Sequence, residues 1–297
     1  MPTFLLYSLK AAGCLAVFYL FYKLLLSRDA LHRMNRVLLC GVLLLSFLLP
    51  LCVITVEKEL PGVSAAGIDV IPENYFRRDM VFENRIPDDT RDLMITEEPE
   101  PAPEPFDWGV LLGIIYFAGV FATLGWTVCN IVRVVRMTRR GQRIPLGNGS
   151  VLVLSDRIRA PFSWMRYVVM SEEDYACGGG TILVHEQAHQ RLGHSWDLLL
   201  VDLLGFNPAM WLLRVELRAV HEYEADEQVL RCGVDAKDYQ MLLIKKAVGG
   251  RWYSIANSLN HSNLKNRITM MLRKRSSRWA RAKALYVLPL ACLALGA

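Results

Sequence analysis

The sequence predicts a membrane α-helical protein that also carries an α+β domain, with four transmembrane helices set around one polar stretch. Three observations lead there. The 297-residue chain is 53% hydrophobic with a positive mean hydropathy; its apolar residues gather in four long runs; and residues 137–276 are mixed in composition and numerous enough for one compact domain.

Residues 1–55 supply the first two helices, as the runs Phe4 to Leu26 and Val37 to Thr55, each long enough to cross a hydrocarbon core at the helical rise of about 1.5 Å per residue. Residues 108–136 supply the third, with Arg133 as the only charge between Trp108 and Val135. Residues 277–297 are read as a basic flank and the start of a fourth helix from about Ala284. That run is still apolar at Ala297, so further chain is expected to complete the crossing.

Lysine and arginine set the orientation. Arg28, Arg33 and Arg36 lie between helices one and two, Arg133 to Arg143 follow helix three, and Arg273 to Lys283 precede helix four. Such clusters stay in the cytoplasm. Residues 56–107 carry 14 acidic residues against 5 basic ones and end in the proline-rich stretch Pro99 to Pro105, which reads as an extracytoplasmic, extended loop. The N-terminus is then outside, the polar domain inside, and the expected location is the inner (cytoplasmic) membrane, with the lipid bilayer as partner. The formal charge of +5 is explained by these flanks, and no zinc-finger or RNA-binding signature points to nucleic acid. Seven cysteines without a CxxC pair indicate neither a disulfide framework nor a cysteine metal site.

Within 137–276, Val151 to Leu154 and Tyr167 to Met170 are β-prone runs bounded by turn residues. The segment Arg166 to Met170 is either an edge strand able to align an extended substrate or an ordinary core strand. Ser171-Glu172-Glu173-Asp174 looks like a helix start, Gly178 to Gly180 a break, and helices are expected over Thr181 to Leu192, Ser195 to Phe206 and Pro208 to Arg231. Asn207 is placed to cap the last and Gly233 to stop it. The leucine-rich segment Leu198 to Leu204 is expected at the hydrophobic centre of this domain.

The chemistry lies in His185-Glu186-Gln187-Ala188-His189, an HExxH motif preceded by three apolar residues. Four residues apart on a helix, His185 and His189 share a face and can hold one Zn2+ ion, with Glu186 at the edge of the same site as general base. A third ligand is available downstream in Glu222, and Asp226, four residues on, is placed to orient a ligating histidine through its free ring nitrogen. Glu224 is the alternative ligand. This is a gluzincin-type arrangement. The metzincin register fails, because Leu192 and Ser195 stand where it needs Gly and His. His194 reads as a helix-end polar residue, and Tyr223, His221 and His261 are the candidates to stabilise an oxyanion.

These features resemble the BlaR/MecR-type signal-transducing peptidases, membrane regulators that relay β-lactam detection. The resemblance covers nearly the whole chain and rests on Tyr22 to Leu26 closing helix one, the basic flank after helix three, Ala160-Pro161-Phe162-Ser163, the HExxH helix, Phe206-Asn207-Pro208 with Trp211, and the Glu222 to Asp226 cluster. It implies a cytoplasmic metallopeptidase domain in which His185 and His189 bind zinc, Glu186 is catalytic, and a downstream Glu, matched here by Glu222, is the third ligand. HtpX and CAAX-type membrane proteases are similar in the Glu-x-x-Ala-Asp spacing that Glu222, Ala225 and Asp226 reproduce. The antibiotic sensors carry an external penicillin-binding domain. Ser262-Asn263-Leu264-Lys265 fits the short SxxK pattern, but it lies on the expected cytoplasmic side without companion motifs, so antibiotic sensing is not carried over. A different external module is expected after helix four. The function expected is a zinc endopeptidase that cuts a cytoplasmic protein, a repressor or itself, when an external signal moves the helices. The alternatives are a constitutive HtpX-like quality-control protease and a non-catalytic membrane receptor or scaffold.

Overall fold

The computed structural model describes residues 3–52, 108–156, 158, 160–176, 179–249, 256–273, 282–287 and 289. The acidic loop and most of the expected fourth span lie outside the described residues, which retain only a 3-10 turn at Lys283–Tyr286 there. The described part is mostly helical with one small mixed sheet.

Helices α1 (Thr3–Leu25), α2 (His32–Leu48, extended by the 3-10 turn Leu49–Leu51) and α3 (Trp108–Arg140) follow the first three apolar runs. Among the described residues, these are the three helices long and apolar enough to cross a membrane. Helix α3 runs past residue 136 and carries Arg139 and Arg140 in its last turn. None of its most apolar stretch is buried inside the protein, and Ile114, Phe121 and Trp126 are all exposed. Such a surface suits hydrocarbon and not water.

Helices α1 and α2 close on each other and on α7 (Ala209–Arg231) through a cluster that includes Leu15, Phe18, Leu39, Leu43, Leu213, Leu217 and Val220. The four-three spacing of Leu213, Leu217 and Val220 puts them on one face of α7, so its opposite face is free to carry polar groups. Helix α6 (His194–Leu203) joins this cluster through Leu200, Val201 and Leu204. The leucine-rich segment is therefore not the centre of the polar domain: its apolar side packs where α1 and α2 meet α7.

Four strands, β1 (Gln142–Pro145), β2 (Val151–Leu154), β3 (Phe162–Trp164) and β4 (Tyr167–Met170), form a sheet in the order β1-β2-β4-β3. The β2 and β4 strands are parallel, with Leu152 opposite Val168, and the other pairings are antiparallel. Arg166 to Met170 thus takes the core-strand option: β4 is interior, and Val168, Val169 and Met170 are buried. The edge is β3. Gly141 joins α3 to β1 where a Cβ would overlap the Val153 side chain and the Leu154 carbonyl, so only glycine lets the helix end this close to the sheet.

Helix α4 (Glu172–Ala176) starts where the Ser171 hydroxyl accepts the Asp174 N–H at 3.0 Å. Helix α5 (Gly179–Leu192) packs on the sheet through Ile182, against Leu152, Val168 and Met170. The Asn207 side chain accepts the Ala209 N–H at 3.0 Å and so caps α7 as expected. Two further helices, α8 (Ala236–Gly249) and α9 (Ala256–Leu272), complete the domain.

Candidate metal centre

Ile182, His185, Glu186 and His189 recur at i, i+3, i+4 and i+7, which makes them one face of α5. Ile182 anchors that face to the sheet, and α7 runs alongside it. The polar side of α7 then meets the polar side of α5. His185 Nε2 and His189 Nε2 lie 3.2 Å apart, and the Glu222 carboxylate reaches them at 3.4 and 3.6 Å. His185, His189 and Glu222 form a group able to hold a metal ion. The donor set fits zinc: tetrahedral bonds of about 2.0–2.1 Å separate ligand atoms by about 3.3–3.4 Å, close to all three observed separations.

The histidine nitrogens that face away from this point are both engaged. With Nε2 turned to the centre, each ring carries its proton on Nδ1. His185 Nδ1–H donates to the Tyr239 hydroxyl at 2.9 Å, and Tyr239 O–H donates to Asp226 at 2.6 Å. Asp226 is held in turn by Arg267 on α9, whose Nε and Nη2 donate to it at 2.9 and 2.5 Å. Asp226 was expected to touch the histidine itself; its own oxygen is 3.4 Å away, and the phenol of Tyr239 stands between them. Arg267 also pairs with Glu222 at 2.9 Å.

His189 Nδ1–H donates to His194 Nδ1 at 2.7 Å, and His194 Nε2–H donates to Glu224 at 2.9 Å. His194 is therefore no helix-end surface group but a buried partner of the centre. Gly193, at φ +72°, makes the sharp turn from α5 into α6 that returns His194 to His189. Glu224 is turned to His194 and not to the ligand group, which removes it as the alternative ligand. His221 bonds to Asp197 at 2.9 Å and the Tyr223 ring lies against His32, so neither of these oxyanion candidates faces the centre. The side chain of His261 lies outside the described residues.

Glu186 is buried beside His185. Burial raises its pKa above the ordinary carboxylate range, against the opposing pull of His185, of a hydrogen bond from Ser163 on the edge strand β3, and of Lys246. Burial also opposes ionisation of Glu222, but the hydrogen bond to His185 and the charges of Arg267 and the two imidazoles outweigh it, leaving its pKa depressed. Desolvation holds His189 well below the usual histidine range, and it lowers His194, together with the charges of His221 and Arg36, to about 2. Burial lowers the His185 pKa, but the hydrogen bond and charge of Glu222 and the charge of Asp226 outweigh it and leave it raised; a divalent cation would displace that proton, with His189 neutral and Glu222 ionised beside it. The group opens on a cleft of about 210 Å³ walled by Pro161, Leu242, Leu243 and Lys246.

Residues 151–271, which contain every residue of this centre, match the family model described as BlaR1 peptidase M56. No curated protein and no solved structure matches the chain.

Proposed function

We propose, from the match of residues 151–271 to the family model described as BlaR1 peptidase M56, that this chain is a membrane-embedded zinc endopeptidase whose catalytic domain faces the cytoplasm and cuts a cytoplasmic protein in response to an event outside. One observation carries the reading: the Nε2 atoms of His185 and His189 and the Glu222 carboxylate converge within 3.6 Å of one another, with the Glu186 carboxyl on the same face of the same helix. When bound, zinc supplies Lewis acidity toward a peptide carbonyl and lowers the pKa of a water. Glu186, with its raised pKa, takes the proton of the attacking water and returns it to the leaving amine. Tyr239 and His194 hold the two imidazoles in the ligating tautomer. The edge strand β3, tied to Glu186 through Ser163, offers its free edge to an extended chain. Three apolar helices and their basic flanks support a multi-pass protein with its N-terminus outside.

The test is the full-length protein in lipid nanodiscs beside Glu186→Gln. Both should retain zinc, and proteolysis should fall at least about 100-fold in the variant. Zinc-loaded variant that cleaves like wild type would overturn the assignment. Sequencing new protein N-termini in cells expressing each form identifies the substrate: one cut pair supports signalling, whereas broad loss of damaged membrane proteins argues for housekeeping.

A further inference from the structure

We propose that Arg36, on the membrane helix α2, is a positioning residue for the metal centre, coupling that helix to His189. This inference rests on the zinc-peptidase reading. Each ligating histidine hands its outer N–H to a neutral intermediary, then to a carboxylate of α7, then to an arginine. For His185 the sequence is Tyr239, Asp226, Arg267, and all of it lies within the domain. For His189 it is His194, Glu224, Arg36, and it ends on α2.

Arg36 uses both arms of its guanidinium. Nε donates to Asp197 on α6 at 2.6 Å, and Nη1 lies 3.5 Å from the same Glu224 oxygen that accepts from His194. Asp197 also takes the His221 N–H at 2.9 Å, and the His221 ring stacks on His194 at 4.0 Å between centroids. The arginine therefore fixes His194 twice, through its hydrogen-bond acceptor and through the ring that backs it. Glu224 is only 2% exposed, so its charge depends on a nearby cation. A lysine, with one point charge, cannot serve both acids in this geometry. Below Arg36 the same helix is packed through Leu39, Val42 and Leu43 into the cluster shared with α1 and α7, so a shift of α2 moves the guanidinium and, through it, the ring that orients His189.

Zinc affinity of the full chain in nanodiscs, measured by competition with a chelating dye, tests this, with the visible bands of the cobalt-substituted protein as a report on coordination geometry. Arg36→Ala should bind zinc about 10–100-fold more weakly and shift the cobalt bands. Arg36→Lys should recover part of the loss, and Arg33→Ala, at an exposed neighbour, should match wild type. Should Arg36→Ala not fold, Arg36→Gln and Glu224→Gln, which preserve volume, carry the same test. An Arg36 that only braces the fold would lower thermal stability and leave affinity and bands unchanged, and that result overturns the proposal. Wild-type protein that binds no zinc at His185 and His189 would remove the peptidase reading and this inference with it. Zinc bound equally by wild type and the Arg36 variants removes the coupling alone.

Discussion

The Tyr239 hydroxyl stands 2.9 Å from Nδ1 of His185, a residue 54 positions earlier in the chain, and donates its own O–H to Asp226. Tyr239→Phe deletes the acceptor for the histidine N–H and leaves Arg267 to hold Asp226 alone. The expected result is a loss of about 10–100-fold in zinc affinity with the far-UV circular dichroism unchanged. Chelator competition measures it, and wild-type affinity in the variant would reduce Tyr239 to packing.

Gly193 turns α5 into α6 at φ +72°. An L-residue with a Cβ pays about 1–2 kcal/mol in that conformation, so Gly193→Ala should lower the thermal midpoint and pull His194 off His189, weakening metal binding. Gly193→Asn should do less harm, because asparagine enters the left-handed region more readily. Equal behaviour of the two variants in thermal melts would refute the conformational explanation.

Acid should loosen the junction of α2, α6 and α7. Burial raises the Asp197 pKa, but the hydrogen bonds from His221 and Arg36 and their charges lower it further, so the folded value lies below the ordinary one. A depressed folded pKa means stability that is present above the unfolded value, about 3.9, and lost as pH falls through the folded one. Wild type should therefore be more stable than Asp197→Asn near neutrality, and the gap should narrow below about pH 4. Melts of both proteins across that range give the answer; a gap independent of pH would assign the effect to packing.

Cys232 is a free, exposed cysteine just past the end of α7. In a variant that keeps it as the sole cysteine, a membrane-impermeant maleimide should fail to label spheroplasts and should label them after permeabilisation. Labelling of sealed spheroplasts would reverse the assigned orientation.

How much of this was legible in the sequence follows from how local each signal is. His185, Glu186 and His189 are read from one helical turn, and Glu222 with Asp226 from another, so their spacing carries the geometry. The spans are read from composition alone. Tyr239 and Arg267 were not foreseen, because an aromatic and a cation in α8 and α9 become partners of His185 only by tertiary packing. Asp235, whose side chain accepts the Lys237 and Asp238 N–H groups at 2.8 and 3.1 Å, was a helix-start signal that would have placed Tyr239 on a helix. His194 was misread because Gly193 looks like an ending; its positive φ instead makes a hairpin-like return. Strands β1 and β3 have four and three residues, too few for an alternation to register.

Helix α7 gives Glu222 to the ligand group, Glu224 to His194 and Asp226 to Tyr239, all from five consecutive residues. Their directions are set by the pitch of that helix, about 100° per residue. A single inserted residue between Glu222 and Glu224 would swing the acids out of step with one another, and no side-chain rotation could restore all three. The segment can therefore vary in letters at its outward positions but has no freedom to change its length.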